Sequence, residues 1–253
     1  MPTGRQTPTQ SATFISCTFK NLASDDNGGA IYLTNNDAVL TIQKSSFIDC
    51  KAKKGSGGGI YVNPAREVII IESIFLHCNV TSSNHCGEGG GGAYIYSVDE
   101  KVFILLSDFL SSSVPCDSGG MHMRLCTAPE NTFTTFLSCR FIDCKGDDSN
   151  GGGILALGNN YNVGINDALF CECSNKIGGA FELSIFSSET TPFITFCLFY
   201  RNSATEHGQD IYFHNCETNP ISYSFTTSSG MDRVYVADDG DVHHNNWRYS
   251  PFV

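Results

Sequence analysis

Paired carboxylates, clustered histidines and thiols are the side chains of this chain that could do chemistry. Asp25-Asp26 and Asp147-Asp148 are adjacent acids of the kind that supply a general acid and a general base. Each pair falls just before a Gly pair, Gly28-Gly29 or Gly151-Gly152, and that repeated placement reads as turn chemistry. His243-His244 beside Asp239 and Asp241 could bind a metal, and Asp238-Asp-Gly-Asp241 could hold Ca²⁺ through oxygen ligands. The spacing fits neither the calcium loop nor a zinc site, so the segment reads as structural, and no metal or cofactor is expected. Twelve cysteines in 253 residues are many for a cytosolic protein and few for a disulfide scaffold.

These residues sit on a repeat. A Phe recurs at Phe19, Phe47, Phe75, Phe109, Phe141, Phe170 and Phe199. Five residues before each stands a bulky apolar residue: Phe14, Ile42, Ile70, Ile104, Phe136, Ile165 and Ile194. The positions two before and three after the Phe are mostly small or polar. About ten residues later a Gly pair opens a short apolar strand, as in Gly28-Gly29-Ala-Ile-Tyr-Leu33 and Gly57-Gly58-Gly-Ile-Tyr-Val62. Leu40/Ile42, Val68/Ile70, Val102/Ile104 and Val163/Ile165 alternate at period two, and helical periodicity is absent. Units of this kind bury their apolar face only by stacking. The pattern predicts an all-β, right-handed parallel β-helix of about seven coils over residues 12–229. Residues 1–11 read as a flexible lead-in and 230–253, with the lone Trp247, as a non-repeat cap or linker.

Composition narrows the function classes. Net charge is −11, so binding a nucleic-acid backbone is excluded as a main activity. The longest apolar run, Val68 to Ile71, is far short of the ~20 residues of a membrane helix, so no direct membrane insertion by this chain is expected. The start of the chain is polar, with no signal peptide evident. Asn79-Val-Thr81 is one glycosylation sequon and weak evidence of secretion.

Gly28-Gly-Ala-Ile31 together with Phe199-Tyr-Arg-Asn202 resembles the repeat of chlamydial polymorphic outer-membrane proteins. The Phe-x-x-Cys version at Phe47, Phe75, Phe141 and Phe170 is similar to β-helix surface proteins of protists, notably trichomonads. The resemblance covers about residues 12–228. It implies an extracellular or cell-surface adhesin-like module, without catalysis, meeting a glycan or protein of a host or neighbouring cell. It carries over no catalytic residue, and neither an export signal nor a translocator barrel is evident in this chain. Pectate-lyase-like enzymes share the β-helix, but their Gly-His-Gly and Arg-x-Lys motifs are missing, and Asn166-Asp167 has the wrong spacing for Asn-x-Asp. A polysaccharide lyase or hydrolase, and a purely structural spacer, stand as the alternatives.

Three features are singled out for the fold to test. The outer face of the Gly-led strands predicts an exposed stripe of Tyr32, Tyr61, Ile95, Met123, Leu155, Glu182 and Tyr212, the candidate contact surface unless a loop such as 76–90 covers it. One rung places His122 and Arg124 where others have core residues; either a charged site or a one-residue bulge that turns Met121, Met123 and Leu125 inward would explain it. Cys50/Cys78 and Cys144/Cys173 share one column on adjacent rungs and should form a buried ladder of thiols, whereas Cys86 and Cys116, in loops before Gly pairs, are the disulfide candidate.

Overall fold

The computed structural model describes residues 4–81, 89–115, 117–125, 132–147, 151–158, 161–185, 193–214, 222–227 and 234–237. They contain strands and no helix, and each recorded strand pairing is parallel. Three sheets wrap one core. The Gly-led sheet stacks Ile31–Leu33, Ile60–Val62, Ala93–Tyr96, Met121–Leu125, Ile154–Gly158, Phe181–Ile185, Ile211–His214 and Val234–Ala237. A short sheet stacks seven strands from Ala23–Ser24 to Ser203–His207, so six turns separate its first strand from its last. That is close to the seven coils predicted from the Phe markers.

The long sheet has two arms meeting at a corner. Ala12–Ile15, Val39–Gln43, Ala65–Ile71, Val98–Leu105, Thr132–Leu137 and Tyr161–Asn166 form one arm. Thr18–Lys20, Ser46–Ile48, Ile74–Leu76, Asp108–Leu110, Arg140–Ile142 and Leu169–Cys171 form the other, and Phe193–Tyr200 runs through both. The fold is a parallel β-solenoid.

Stacking places like on like. Phe19, Phe47, Phe75 and Phe109 are fully buried with successive ring centroids 4.6 Å apart, and Phe141, Phe170 and Phe199 continue the column at 4.9–5.1 Å. Each such ring contributes about 1.5–3 kcal/mol of burial before entropy is deducted. The column five residues earlier is in register from Phe14 to Ile194, and Phe14 closes the first end edge-on over Phe19 at 5.4 Å.

Two corners bracket every marker Phe. The residue three before it (Ser16, Lys44, Glu72, Leu106, Ser138, Asp167, Phe196) and the residue two after it (Asn21, Asp49, His77, Ser111, Asp143, Glu172, Arg201) all have φ between 48 and 55°. Left-handed backbone costs a non-glycine residue about 1–2 kcal/mol. The hydrogen-bond ladder runs on through these turns, as in Lys44 N–H to Ile71 O at 3.0 Å and Asp49 N–H to Leu76 O at 3.0 Å. The polar column two before the Phe adds a relay: Ser73 donates to Ile71 O at 2.8 Å and accepts the Ser45 amide at 3.1 Å.

The Gly pair does two different jobs. Gly28, Gly57, Gly90, Gly151, Gly178 and Gly208 take positive φ. The next glycine has no room for a side chain, since a Cβ on Gly58 would lie 2.4 Å from Gly91 O and one on Gly91 2.4 Å from Gly119 O.

At the ends, residues read as lead-in and cap touch the solenoid. Gln6 pairs in parallel with Ile31, and Asn35 donates to Thr9 O at 2.7 Å. Val234–Ala237 pairs with Ile211–His214, so the Gly-led sheet extends past residue 229.

Candidate functional site

On the outer face of the Gly-led sheet the stacked residues are Tyr32, Tyr61, Tyr94, His122, Leu155, Glu182 and Tyr212. The expected stripe is corrected at two rungs: Ile95 and Met123 point inward and are fully buried. The reason is glycine phase. Four glycines, Gly89 to Gly92, precede Ala93, and the third, not the fourth, stacks on Gly58. On the rung carrying Phe109, Ser118 stands where the other rungs have the positive-φ glycine, and Asp117 takes the left-handed turn instead at φ 52°.

That shift also accounts for the anomalous rung. Met121, Met123 and Leu125 face the core, fully buried, in continuous register with Ala93–Tyr96 and Ile154–Gly158, so no bulge is needed. His122 and Arg124 face outward. Arg124 is exposed, its guanidinium 5.9 Å from the Tyr96 ring centre.

The stripe as a whole is not a free surface. Tyr94, His122, Leu155, Glu182 and Tyr212 are buried, and only Tyr32 and Tyr61 remain half-buried. Residues 82–88 of the loop expected to cover it lie outside the described residues. The tyrosine faces are spent on each other: Tyr32–Tyr61 and Tyr61–Tyr94 stack at 5.2 Å within 6° of parallel, and Arg5 lies 4.5 Å over the outer face of Tyr32. A sugar ring therefore finds no open aromatic face in this ladder.

Beneath it lies a polar group the sequence did not bring together. His122 Nδ1 is 3.5 Å from Asp117 Oδ2, and both side chains are almost fully buried. Neither ring nitrogen of His122 has a hydrogen-bond partner among the described residues, and Tyr94 meets the imidazole edge-on at 5.0 Å. Glu182, two rungs on, is buried; burial first, and the Asp117 charge second, push its carboxyl up to about 8. At neutral pH it is mainly protonated, a combination of strained turn and perturbed acid typical of functional sites. Among the described residues no three His, Cys, Asp or Glu side chains are arranged to hold a metal ion.

The exposed apolar surface is elsewhere. Ile15, Ile74, Leu106, Phe133, Phe193, Phe196, Leu198 and Tyr200 are the exposed large hydrophobics among the described residues, and all lie on the long sheet or at its corner. Leu106, Phe133 and Phe196 are 52, 53 and 64% exposed. Half-buried Ile69, Ile71, Phe103, Leu105, Ile142 and Leu137 fill the ground between them. Charges on the second arm and corners pair across rungs, in Lys44–Glu72 at 3.7 Å and a two-pronged Asp108–Arg140 pair, and Asp49 lies 3.5 Å from the His77 ring. The result is apolar outer ground that spans both arms and the corner between them.

Other candidates resolve simply. Asp25 pairs with Lys53 at 2.7 Å on the surface, and the Lys53 hydrogen bond lowers its carboxyl from the usual range. Asp147 is exposed; Asp148, Asp239, Asp241, His243, His244, Trp247 and the disulfide candidate Cys86 and Cys116 lie outside the described residues. The sequon residue Asn79 is half-buried, its Oδ1 accepting from Ser113 N at 2.9 Å and Ser113 Oγ at 3.0 Å. The eight described cysteines with free thiols include the expected ladder of Cys50, Cys78, Cys144 and Cys173.

No family model, curated protein or solved structure matches this chain.

Proposed function

We propose that this chain is a surface-displayed, adhesin-like contact rod that binds a protein partner through the outer face of its long sheet. The observation that carries this reading is the confinement of the exposed large hydrophobics among the described residues to that sheet and its corner. Contiguous exposed apolar ground of this kind marks interaction surfaces, and the cross-rung pairs Lys44–Glu72 and Arg140–Asp108 spare a partner the desolvation of four unpaired charges. The likeness of Gly28-Gly-Ala-Ile31 and Phe199-Tyr-Arg-Asn202 to surface-protein repeats agrees with display outside the cell. A glycan ligand is less well supported, because the tyrosine faces are already stacked. The polysaccharide-cleaving alternative would draw on Asp117, His122 and Glu182, whose burial keeps a polymer from reaching them.

The test is a binding screen of the purified chain against immobilised extracellular protein domains and a glycan array. Protein hits abolished by Leu106→Lys with Phe133→Lys, at unchanged thermal melt, and retained by Tyr32→Ser with Tyr61→Ser are expected. Glycan-only hits, or protein hits indifferent to the two lysines, overturn the proposal.

A further inference from the structure

The column three residues after each marker Phe reads Leu22, Cys50, Cys78, Ser112, Cys144, Cys173, Asn202. We infer that Cys50–Cys78 and Cys144–Cys173 are two axial dithiols, each a modification site at which a small-molecule disulfide of the glutathione class links consecutive turns of the solenoid.

The geometry is the same at both pairs. Cys50 Sγ lies 3.6 Å from Phe19 O and Cys78 Sγ 3.5 Å from Phe47 O, so the two thiols are related by one rung. Cys144 and Cys173 repeat this against Phe109 O and Phe141 O, each at 3.3 Å. Neighbouring rungs of a parallel sheet are about 4.8 Å apart, and the adjacent Phe47 and Phe75 rings measure 4.6 Å. Stacked Cα atoms at that spacing fall within the ~4.4–6.8 Å that a disulfide spans. Rotation of each side chain toward its neighbour along the column, away from the carbonyl it now faces, brings the sulfurs together.

The column also fixes the pairing. Ser112 separates the two dithiols, and Leu22 and Asn202 close the ends, so within the column each cysteine has one sulfur neighbour, with half-buried Cys171 two residues before Cys173 on the same strand-and-turn segment. The other inward column carries a built-in control: Cys139 and Cys197 are separated by Ala168, two rungs apart and out of reach.

The two thiols of the first pair act on each other: the Cys78 thiol beside Cys50 lowers the Cys50 pKa against the effect of burial, while burial and then the Cys50 contact raise that of Cys78. Either thiolate can start the exchange, and both orders give the same link. When Cys50 starts it, its thiolate attacks one sulfur of the oxidant, forming a mixed disulfide and releasing one reduced thiol. The Cys78 thiolate then attacks the Cys50 sulfur and expels the second. Two electrons pass from the protein sulfurs to the oxidant, and the two thiol protons end on the two released thiols. Both cysteines are buried, so the exchange proceeds through local opening of the rungs.

The experiment incubates the full chain with oxidised glutathione in urea below the unfolding midpoint, alkylates remaining thiols and maps peptides by mass spectrometry. Expected are Cys50 joined to Cys78 and Cys144 joined to Cys173, each link with the loss of two hydrogens, and Cys139 and Cys197 alkylated. The urea midpoint of the linked protein should rise, and a reductant should reverse the rise. Cys78→Ser should trap Cys50 as its glutathione adduct; Ser112 already occupies this column, its Oγ 3.5 Å from Leu110 O. If that variant does not fold, Cys173→Ser poses the same question at the other pair. Full alkylation of all four thiols, a lasting glutathione adduct on the wild-type pairs, or links from these four to any other cysteine would overturn the inference.

Discussion

Asp117 Oδ2 lies 3.5 Å from His122 Nδ1 on the rung where the left-handed turn has moved from position 118 to Asp117. A shift of one residue in a turn thus places a carboxylate under the outer face of the Gly-led sheet, beside a buried imidazole and within electrostatic reach of Glu182.

Glu182 should make stability depend on pH. Its carboxyl holds its proton up to about 8 in the folded chain, whereas the unfolded chain releases it near 4.3. Between those values the folded state binds more protons, so stability declines as pH rises through that window and levels off above it. One such group contributes a slope of up to about 1.4 kcal/mol per pH unit. Urea midpoints measured from pH 5 to 9 should fall less steeply for Glu182→Gln than for wild type. Identical slopes would remove Glu182 from the account.

Glycines that look alike in sequence should respond differently to substitution. A Cβ on Gly91 would meet backbone oxygens of Gly119, Cys78 and Ser113 within 2.8 Å, none of which can move alone. Gly91→Ala should cost at least about 1–3 kcal/mol, the usual range for overpacking. The nearest atoms to a Cβ on Gly164 belong to the ring of Phe193, 2.4 Å away at the closest, and that ring lies on the exposed face and can swing away. Gly164→Ala should change stability by less than about 0.5 kcal/mol while altering binding at the long sheet. Equal melting temperatures for the two variants would contradict this.

The core columns were legible because stacking forces one residue type to recur: Phe47 and Phe75 mark their rungs in sequence and touch in the structure. The outer faces were not. In Gly89–Gly92 the pattern offers no cue to which glycine turns left-handed, so the sequence points Ile95 outward where the structure points Tyr94. The contact face was hidden for another reason. Val68-Ile69-Ile70-Ile71 is apolar at every position, as strands covered on both sides are, and only the assembled sheet shows that nothing among the described residues buries Ile69 and Ile71 fully. The Asp117–His122–Glu182 group depends on a turn shift and on a two-rung separation, neither of which leaves a spacing motif.

Phe141 sits mid-column, stacked at 4.9 Å on Phe109 and 5.1 Å on Phe170, and edge-on to Phe136 at 6.1 Å. Phe141→Ala leaves a void that flanking rungs cannot close, because their spacing is held by the backbone ladder. The expected cost is about 3–5 kcal/mol, read as a lowered urea midpoint. An unchanged midpoint would place Phe141 outside the cooperative core.

Ser73 tests the corner relay in the same units. It is fully buried, donates to Ile71 O and accepts the Ser45 amide. Ser73→Ala removes both bonds and leaves the Ser45 N–H unsatisfied inside the protein, which should cost about 1–3 kcal/mol. Ser73→Cys should cost less, because Cys139 and Cys197 hold the equivalent position and their thiols reach carbonyls in the same way, at 3.4 Å to Leu137 O and 3.3 Å to Thr195 O. If alanine were as stable as cysteine here, the relay would be dispensable, and the left-handed corners would owe their stability to the backbone ladder alone.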